Sequence, residues 1–379
     1  MNKAHISSIG TALIVGGGIG GMATAISLAE RGVSVDLIDL DPEWRVYGAG
    51  ITITGPTLRA YKHLGLLEDI KRQGAITIKT RLFRYDGTHM LDLEEPPLEE
   101  GVPGNGGIMR PVLHRIMQAR LRTLPVDVRL GLTVTSLVNR DGGVDVRFSD
   151  DSTNRYDLVV GADSVYSGVR EIAFPHMAPA QSTGQGCWRV SIRKPPTLNM
   201  TEFYLGHANP CGITICAPDM VYMWLLTPHI ERESFMSDEE LFATLKGLLA
   251  DYGGHIGWIR DNMTRDDWVN YRPLNAALQP KDWFNGQIVL VGDSVHATTP
   301  HLASGAGMAV ESGIVLAEEL ARADDVAIAL KSYQERRFER CRDVIETSVA
   351  VGKLQLEHGD PNIHAHMLQD ALKRLNEPY

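Results

Sequence analysis

Three glycines near the start of the chain have the spacing of a dinucleotide-binding turn. Gly16, Gly18 and Gly21 form a GxGxxG pattern that follows an apolar run and opens an apolar-periodic segment. In such a turn the first glycine permits a sharp bend, the second lets a pyrophosphate approach the backbone, and the third lets the helix pack closely against the sheet. The free N–H groups at the helix start also attract phosphate. The pattern therefore predicts a bound dinucleotide.

An acidic residue stands where the ribose of such a dinucleotide would lie. Asp39 ends the second apolar run, eighteen residues after Gly21. A carboxylate at this place binds ribose hydroxyls, which favours an adenosine ribose without a 2′-phosphate. The alternative is a solvated acid that only leads into the turn at Asp41 and Pro42. These residues do not distinguish FAD from NAD.

Two later segments repeat the pattern of a buried strand that ends in glycine and aspartate. One ends at Gly161 and Asp163, and the other ends at Gly292 and Asp293. The carboxyl ends of strands in an open α/β sheet face the ligand crevice, so both aspartates are expected to point at a cofactor. A carboxylate is suited to holding hydroxyl groups through charge-assisted hydrogen bonds.

The elements that must position these residues are predicted to be alternating strands and helices, as in an α/β fold. A strand at 12–15, a helix at 20–30 and a strand at 33–38 predict a β–α–β unit with parallel strands. Further along, the sequence predicts a helix at 111–124, meander strands at 126–130, 134–139 and 144–148, strands at 221–226 and 287–291, and helices at 312–321 and 327–354. The α/β pattern stops near residue 180 and resumes near residue 276, which indicates an inserted, sheet-containing unit between them.

Composition and charge limit the classes of function. The 379 residues are 44% hydrophobic and 22% charged, as in a globular protein of two or three structural units. The net charge of −10 and the lack of basic runs argue against a nucleic-acid partner. The four cysteines form no CxxC pair and have no histidine at metal-ligand spacing, so we expect buried, reduced thiols in the cytoplasm and no bound metal. No apolar run approaches a membrane span, and no secretory signal is predicted.

Together these segments resemble the FAD-dependent aromatic hydroxylases, the class A flavoprotein monooxygenases. This group includes the para-hydroxybenzoate, salicylate, 6-hydroxynicotinate and urate hydroxylases. The resemblance covers nearly the whole chain apart from the middle segment, where these families diverge. It implies an α/β fold: a Rossmann-like FAD-binding domain at residues 1–179 and 276–379, which ends in C-terminal helices, with an inserted β-sheet substrate domain at residues 180–275.

The resemblance also implies which residues contact the cofactor. The glycine turn and its acid match the ADP-binding fingerprint, the Asp-Gly motif matches a segment associated with FAD and NAD(P)H, and the Gly-Asp motif matches the site that holds the ribityl chain. The implied cofactor-binding residues are Gly16, Gly18, Gly20, Gly21, Asp39, Arg45, Gly50, Arg110, Asp163, Arg170, Gly292, Asp293, Gly305 and Gly307. Pro300 matches a proline that lines the reaction pocket.

Two positions depart from the family pattern. Ser164 replaces the glycine of the Asp-Gly motif, which bears on how NAD(P)H engages there. The segment Ser-Gly-Ala-Gly at 304–307 replaces the more usual Gly-Gln-Gly, so its glycines remain and one polar contact is lost. No second GxGxxG is present, and the nicotinamide cofactor is therefore expected to bind transiently.

The family chemistry implies that FAD, reduced by NAD(P)H, reacts with O₂ to give a C4a-hydroperoxide, whose distal oxygen is attacked by a small aromatic or N-heteroaromatic ring. A phenolic ring reacts after losing a proton, so a general base or proton relay is expected near the substrate. Tyr222 is the first candidate, because it lies in a strand-like run where related hydroxylases carry pocket residues. His207, Tyr204 and His229 are further candidates, each of which is otherwise a packed or surface residue.

Several alternatives stay open on the sequence alone. Arg189 is either the ligand of a substrate carboxylate or a surface arginine, and His296 is either a direct participant or a structural residue. The same flavin machinery also acts on polycyclic or alkene substrates in antibiotic-inactivating monooxygenases and epoxidases. A non-catalytic flavin-binding sensor would show no ligand-stimulated consumption of NAD(P)H, and an NAD-linked dehydrogenase would show no flavin absorption. The oligomeric state is a monomer or a homodimer.

Overall fold

The computed structural model describes residues 3–46, 48–206, 209–231 and 236–379. The strands are, in chain order, β1 Thr11–Val15, β2 Ser34–Asp39, β3 Gly50–Thr54, β4 Ala75–Thr77, β5 Lys79–Arg84, β6 His89–Glu94, β7 Asn105–Met109, β8 Val126–Leu130, β9 Val134–Arg140, β10 Gly143–Phe148, β11 Thr153–Tyr156, β12 Leu158–Gly161, β13 Gln181–Arg193, β14 Thr201–Leu205, β15 Cys211–Ile215, β16 Met220–Pro228, β17 Trp268–Leu278, β18 Phe284–Asn285 and β19 Ile288–Leu290. The α-helices are α1 Ile19–Ala29, α2 Gly55–His63, α3 Leu67–Gln73, α4 Arg110–Leu121, α5 Gly168–Ala173, α6 Asp238–Leu248, α7 Gly254–Asn262, α8 Asp293–His296, α9 Gly305–Arg322, α10 Val326–Leu356 and α11 Pro361–Leu375.

The first sheet carries the predicted dinucleotide turn. Its six strands have the order β18-β19-β12-β1-β2-β8. β1 pairs in parallel with β2 and β12, and β2 pairs in parallel with β8, while β18 and β19 form an antiparallel edge. Because β1 is flanked by β2 and β12, the GxGxxG turn lies at the carboxyl end of the sheet, between two other strand ends. The Rossmann-like fold predicted from the sequence is confirmed.

The second large sheet extends beyond the residues that the sequence analysis gave it. Its seven strands have the order β17-β13-β16-β15-β14-β5-β6. We expected this sheet within residues 180–275, but β5 and β6 precede residue 180, and β17 continues to Leu278. β14 pairs in parallel with β5, with Phe203 opposite Leu82. This pairing joins segments that lie far apart in the chain, so local patterns did not reveal it.

Each large sheet has its own core. The first core packs β1, β2 and β12 against α1 and α9, with buried residues such as Leu13, Ile26 and Val315. The second core lies between one face of the seven-stranded sheet and the helices α6 and α7, where Val190 and Ile256 are buried. The cysteines are all free thiols and all buried, as the sequence predicted.

The long C-terminal helices pack against the first core and cover it. α9 packs against both α1 and α10, and α11, which the sequence analysis did not predict, packs back on α10. A buried ion network joins α9 to α10: Arg337 donates to Glu311 at 2.8 Å, and Arg340 donates to the same carboxylate at 2.9 Å. Within the described ranges, no helix combines the length and the apolarity that a membrane crossing requires.

Candidate active site

The glycine turn after β1 has the geometry that its spacing predicted. Gly16 has a φ of +108°, a conformation that side chains disfavour, and an added Cβ there would collide with the carbonyl of Ala162. A Cβ at Gly21 would collide with the carbonyl oxygen of Gly16, so only glycine lets α1 start this close to β1. Gly18, by contrast, has no heavy atom within 4 Å of the place where its Cβ would be. The turn is therefore closely packed at Gly16 and Gly21, and it is open at Gly18.

The open side of this turn presents hydrogen-bond donors. α1 begins at Ile19 with Gly18 as its N-cap, and no side chain caps it. The first-turn N–H groups of a helix have no partner within the helix, so they are available to a phosphate. Asp39 accepts the N–H of Gly17 at 2.7 Å and the N–H of Asp41 at 2.8 Å. Each carboxylate oxygen keeps further acceptor capacity for ribose hydroxyls.

The loop after β2 holds an aromatic residue that the sequence analysis missed. The indole of Trp44 donates to the carbonyl of Gly17 at 2.9 Å and packs edge-on against His114 at 5.2 Å between ring centroids. Burial lowers the pKa of His114. The structure places Arg45 in the exposed part of the same loop, where it pairs with Asp41 at 2.9 Å. A cofactor contact by Arg45 therefore remains a prediction.

The second strand end is occupied by contacts within the chain. One oxygen of Asp163 accepts the hydroxyl of Ser167 at 2.5 Å, and the other accepts the N–H of Val169 at 3.0 Å, so the carboxylate supports the start of α5. Burial raises the pKa of Asp163, against the effect of these hydrogen bonds. Ser164, the departure from the family pattern, has a φ of +76°, which explains why glycine is usual at this position. Direct contact between Asp163 and the cofactor stays a prediction.

Arg170 ties the second strand end to the third. Its side chain is buried and donates to the carbonyl of Ser294 at 2.8 Å and to the carbonyl of Val165 at 2.8 Å. The Ser294 hydroxyl in turn donates to the carbonyl of Gly161 at 2.8 Å. These bonds fix the relative position of the strand ends, and direct contact between Arg170 and the cofactor stays a prediction.

The third strand end presents an open carboxylate. Gly292 has a φ of +65° and caps the short helix α8, whose first residue is Asp293. The Asp293 side chain is open to solvent on one side, and surrounding protein atoms partly shield its other sides. Shielding from water raises the pKa of Asp293 to about 6, and the charge of Arg110 opposes this effect. Arg110 packs against the Gly48 turn, and its N–H donates to the carbonyl of Ala49 at 3.3 Å.

Helix α9 brings the strand ends together. A Cβ added at Gly20 or at Gly292 would lie 3.2 Å from the Cβ of Ala309 in both cases, so α9 touches the first and third strand ends. The helix starts at Gly305 after Ser304, with no side-chain cap, and its first N–H groups are available to a ligand. A Cβ at Gly307 would collide with the hydroxyl of Thr57.

One face of the seven-stranded sheet lies across from this group. Gly50 of β3 touches it so closely that an added Cβ would collide with the sulfur of Cys216 and lie 2.6 Å from the Cβ of Tyr222. The hydroxyls of Thr52 and Thr214 are 2.8 Å apart, which also links β3 to this face. Burial raises the pKa of Tyr222 to about 12, against the effect of Arg189. Tyr222 is therefore a neutral hydroxyl at physiological pH and not a general base by itself.

The other candidate bases have partners elsewhere. Tyr204 lies on the opposite face of the sheet and donates to Glu202 at 2.8 Å. His229 contacts the hydroxyl of Tyr271 at 3.0 Å. His296 is buried against the hydroxyl of Ser312 at 2.9 Å, and burial lowers the pKa of His296 to about 3, as expected for a structural histidine. His207 lies outside the described residues.

The segment between α8 and α9 continues from the third strand end. Pro300 is exposed and begins a single 3-10 turn between α8 and α9, so it borders the same region. A cavity of about 730 Å³ also opens between α6 and β17, but the described residues that line it include none of those predicted for cofactor binding. This cavity is therefore not the predicted cofactor site.

Comparison with known proteins assigns the family. Residues 10–348 match the family described as FAD binding domain. The chain is 30% identical to YetM of Bacillus subtilis (strain 168) over 351 residues, which cover 92% of this chain and 94% of that protein. It is 29% identical to the 2-heptyl-3-hydroxy-4(1H)-quinolone synthase of Pseudomonas aeruginosa (strain UCBPP-PA14) over 354 residues, 91% of this chain and 89% of that one.

A solved structure shows the same fold. A single-residue variant of HpxO from Klebsiella pneumoniae, solved in complex with FAD, superposes with a TM-score of 0.84 at 21% identity, over 98% of this chain and 97% of that chain. The glycine turn, the uncapped helix starts and the open Asp293 carboxylate fit the phosphates and hydroxyls of FAD. The chain thus belongs to the FAD-binding-domain family, and it is an FAD-dependent monooxygenase of the aromatic hydroxylase type.

Proposed function

We propose that this enzyme uses NAD(P)H and O₂ to add one oxygen atom to a small aromatic or N-heteroaromatic ring. The observation that carries the proposal is the position of the Tyr222 face across from Asp293 and the start of α9, since Arg110 lies close enough to interact electrostatically with both Tyr222 and Asp293. The quinolone synthase to which the chain is similar is named for a product with a heteroaromatic ring, and this supports the substrate class.

Different residues of the chain bind different parts of the cofactor. The first-turn N–H groups at Gly18 and Ile19 bind the pyrophosphate, Asp39 binds the adenosine ribose, and Asp293 binds the ribityl hydroxyls. When bound, FAD supplies the redox chemistry by accepting a hydride and activating O₂. NAD(P)H binds transiently, since the chain offers a single GxGxxG turn.

The sheet face positions the ring. Tyr222 and Trp224 supply a flat apolar surface, because aromatic side chains stack well against planar ligands. The Tyr222 hydroxyl is neutral, so it donates a hydrogen bond to the ring substituent and orients the carbon that receives oxygen. Pro300 covers the pocket from the side of α9 and limits the access of water, which protects the reaction from side products.

The test is ligand-stimulated turnover of the FAD-loaded enzyme. NADH and NADPH oxidation would be followed with phenols, hydroxypyridines, purines, quinolones, polycyclic compounds and alkenes, and products from ¹⁸O₂ would be weighed by mass spectrometry. We expect one labelled oxygen atom in a mono- or bicyclic aromatic product. Label only in polycyclic or alkene products would assign the other substrate class, and hydrogen peroxide with every compound would refute the proposal.

A matched pair of variants tests the role of Tyr222. Tyr222→Phe removes the hydroxyl and keeps the ring, so product formed per NAD(P)H should fall by roughly tenfold or more, the effect of one lost hydrogen bond to a charged or reacting group. Tyr156→Phe removes a hydroxyl on β11 whose partners, Asp36, Asn154 and Arg129, are not predicted site residues, and it should leave this ratio unchanged. Equal ratios in both variants would remove Tyr222 from the reaction.

A further inference from the structure

A second group of reactive side chains lies outside the predicted cofactor region. The hydroxyl of Thr197 lies 2.8 Å from Nε2 of His255, and Nδ1 of the same imidazole lies 2.9 Å from a carboxylate oxygen of Glu202. Thr197 belongs to the loop before β14, Glu202 belongs to β14, and His255 lies in the first turn of α7. A hydroxyl, an imidazole and a carboxylate in this order form the nucleophilic centre of many hydrolases, which is recognised by these contacts and not by its place in the sequence.

The carboxylate end of this group is buried and fixed. Glu202 is fully buried and accepts the hydroxyl of Tyr204 at 2.8 Å, and that hydroxyl accepts the backbone N–H of His255 at 3.0 Å. Among the described residues, the ion-pair partner of Glu202 is His255. Glu202 therefore holds the imidazole in one orientation, and it lies ready to pair with the charge that His255 acquires when it accepts a proton.

The hydrogen-bond roles in the group follow from its chemistry. A carboxylate only accepts, so Nδ1 of His255 carries the proton that is donated to Glu202. Nε2 of a neutral imidazole is then an acceptor, and it accepts the hydroxyl proton of Thr197. Thr197 is exposed whereas Glu202 is buried, so the group opens to solvent at its hydroxyl. This is the arrangement of a nucleophile beside a general base.

A cavity of about 630 Å³ adjoins the group. Its lining includes Pro196, which precedes Thr197, and Trp258, which follows His255 by about one turn of α7. Residues three apart on a helix are neighbours on its surface, so Trp258 lies on the side of α7 that carries His255. An indole beside a proline provides an apolar wall against which a flat group can pack.

We propose that this group is a second catalytic site, which hydrolyses small carboxylic esters of aromatic alcohols. Thr197 is the nucleophile, His255 is the general base, and Glu202 is the positioning residue that orients the imidazole. The aromatic part of the ester packs against Trp258. The group lies on the face of the seven-stranded sheet that packs against α6 and α7, so this activity is independent of the proposed flavin reaction.

The reaction proceeds in two steps, with water as the second reactant. The Thr197 oxygen forms a bond to the ester carbonyl carbon, and its proton passes to Nε2 of His255. The bond from that carbon to the alcohol oxygen then breaks, and Nε2 gives the proton to the departing alcohol. Water attacks the acyl group on Thr197 in the same way, which releases the carboxylic acid and restores the hydroxyl. Arg193 and Lys194 line the same cavity and favour the negative charge that develops on the carbonyl oxygen.

The test is hydrolysis of 4-nitrophenyl acetate by the FAD-loaded enzyme without NAD(P)H. Release of 4-nitrophenolate would be followed by its absorbance, and omission of the reductant prevents any flavin reaction with the product. We expect a rate that saturates with ester concentration. Protein quenched in acid during turnover should gain the mass of one acetyl group, and mass spectrometry of its peptides should place that group on Thr197.

Variants assign the activity to individual residues. Thr197→Ala and His255→Gln should each lower the saturable rate by roughly a hundredfold or more, as expected for loss of a nucleophile or a general base. Thr197→Ser keeps a hydroxyl and should keep the activity. His176→Gln removes another exposed histidine, and it should leave the rate unchanged. This control accounts for the slow reaction of surface imidazoles with activated esters.

A purely structural role of the group gives a different result. The same hydrogen bonds join β14 to α7, so flavin content and the unfolding midpoint would be measured for every variant. Glu202→Gln should also lower the rate, and Thr197→Ala, at an exposed position, decides the question if Glu202→Gln is unstable. A wild-type rate that does not saturate, a rate that persists in Thr197→Ala, or acetyl groups found only on other residues would overturn the proposal.

Discussion

Asp293 is the residue through which we expect pH to affect cofactor binding. In the free protein its pKa lies at about 6, because the surrounding protein shields it from water. Ribityl hydroxyls donate more strongly to an ionised carboxylate than to a protonated one. Binding of FAD should therefore favour the ionised form, and it should release a proton when it occurs below about pH 6.

The affinity of the protein for FAD should depend on pH. The affinity of the cofactor-free protein, measured by quenching of flavin fluorescence, should rise as the pH increases from about 5 to about 7 and then level off. Asp293→Asn should weaken binding by roughly tenfold at neutral pH and flatten the dependence. Asp151→Asn, in an exposed turn after β10, should change neither. A steep dependence that persists in Asp293→Asn would assign the titration to another group.

The same raised pKa affects folding of the cofactor-free protein. The folded carboxyl holds its proton more tightly than the unfolded one, so stability is fully present below the unfolded pKa of 3.8 and declines as the pH rises toward about 6. Bound FAD should remove this loss, because it stabilises the ionised form.

Substitution by alanine should have different consequences at two glycines of the first turn. Gly18 has an extended conformation and free space above it, so Gly18→Ala should leave the fold intact and place a methyl group where the pyrophosphate binds. FAD affinity should fall by at least roughly tenfold, while the unfolding midpoint of the cofactor-free protein stays unchanged. Gly21→Ala should destabilise the cofactor-free protein itself by about 1–3 kcal/mol, the usual effect of overpacking.

Urea denaturation with and without FAD separates the two effects. If Gly18→Ala lowers the midpoint of the cofactor-free protein as much as Gly21→Ala does, the open space above Gly18 has another role.

At the scale of elements, the contact between α9 and α10 depends on one carboxylate. Burial alone would raise the pKa of Glu311, but Arg337 and Arg340 outweigh it and lower the pKa, so the group is ionised in the folded protein. Removing the negative charge leaves the fully buried Arg337 without a counter-ion. Such a change typically costs about 3–5 kcal/mol.

Glu311→Gln should therefore lower the unfolding free energy by that amount in chemical denaturation. Glu346→Gln, on the exposed side of α10, provides the control and should stay within about 0.5 kcal/mol of the wild type. Because α9 also touches the glycine turn and the Gly292 turn, Glu311→Gln should weaken FAD binding as well. A stable variant with normal flavin content would show that the two arginines are held by other contacts.

At the scale of the whole molecule, the sequence predicted the elements of the fold that depend on local patterns of residues. The glycine spacing identified the turn after β1, and runs of buried residues identified β12 and β19, because a strand buried on both faces is continuously apolar. The convergence of these strand ends follows from parallel pairing. The sequence did not predict the sharing of β5 and β6 with the second sheet, because that pairing depends on a partner strand, β14, that lies far along the chain.

Side-chain partners were also beyond the reach of local patterns. The cofactor contact of Asp163 stays a prediction, and the sequence did not reveal that its carboxylate also meets Ser167 and Val169, because this contact depends on how α5 begins. Arg189 was left between a surface residue and a carboxylate ligand. Its position became clear only from the strand pairing that sets Arg189 opposite Trp224. Trp44 carried no motif, and only the folded loop brings it to Gly17.

The two-residue period of β13 and β16 has a consequence for how this enzyme could acquire new substrates. Positions 189, 191, 222 and 224 share the face on which we propose that the ring binds, while their immediate neighbours belong to the core beneath α6 and α7. Alternate residues of the same two strands should therefore determine substrate selectivity and thermal stability. A mutant library restricted to every second codon there should explore new ring chemistries at little risk to folding, whereas one shifted by a single codon should yield mostly insoluble protein.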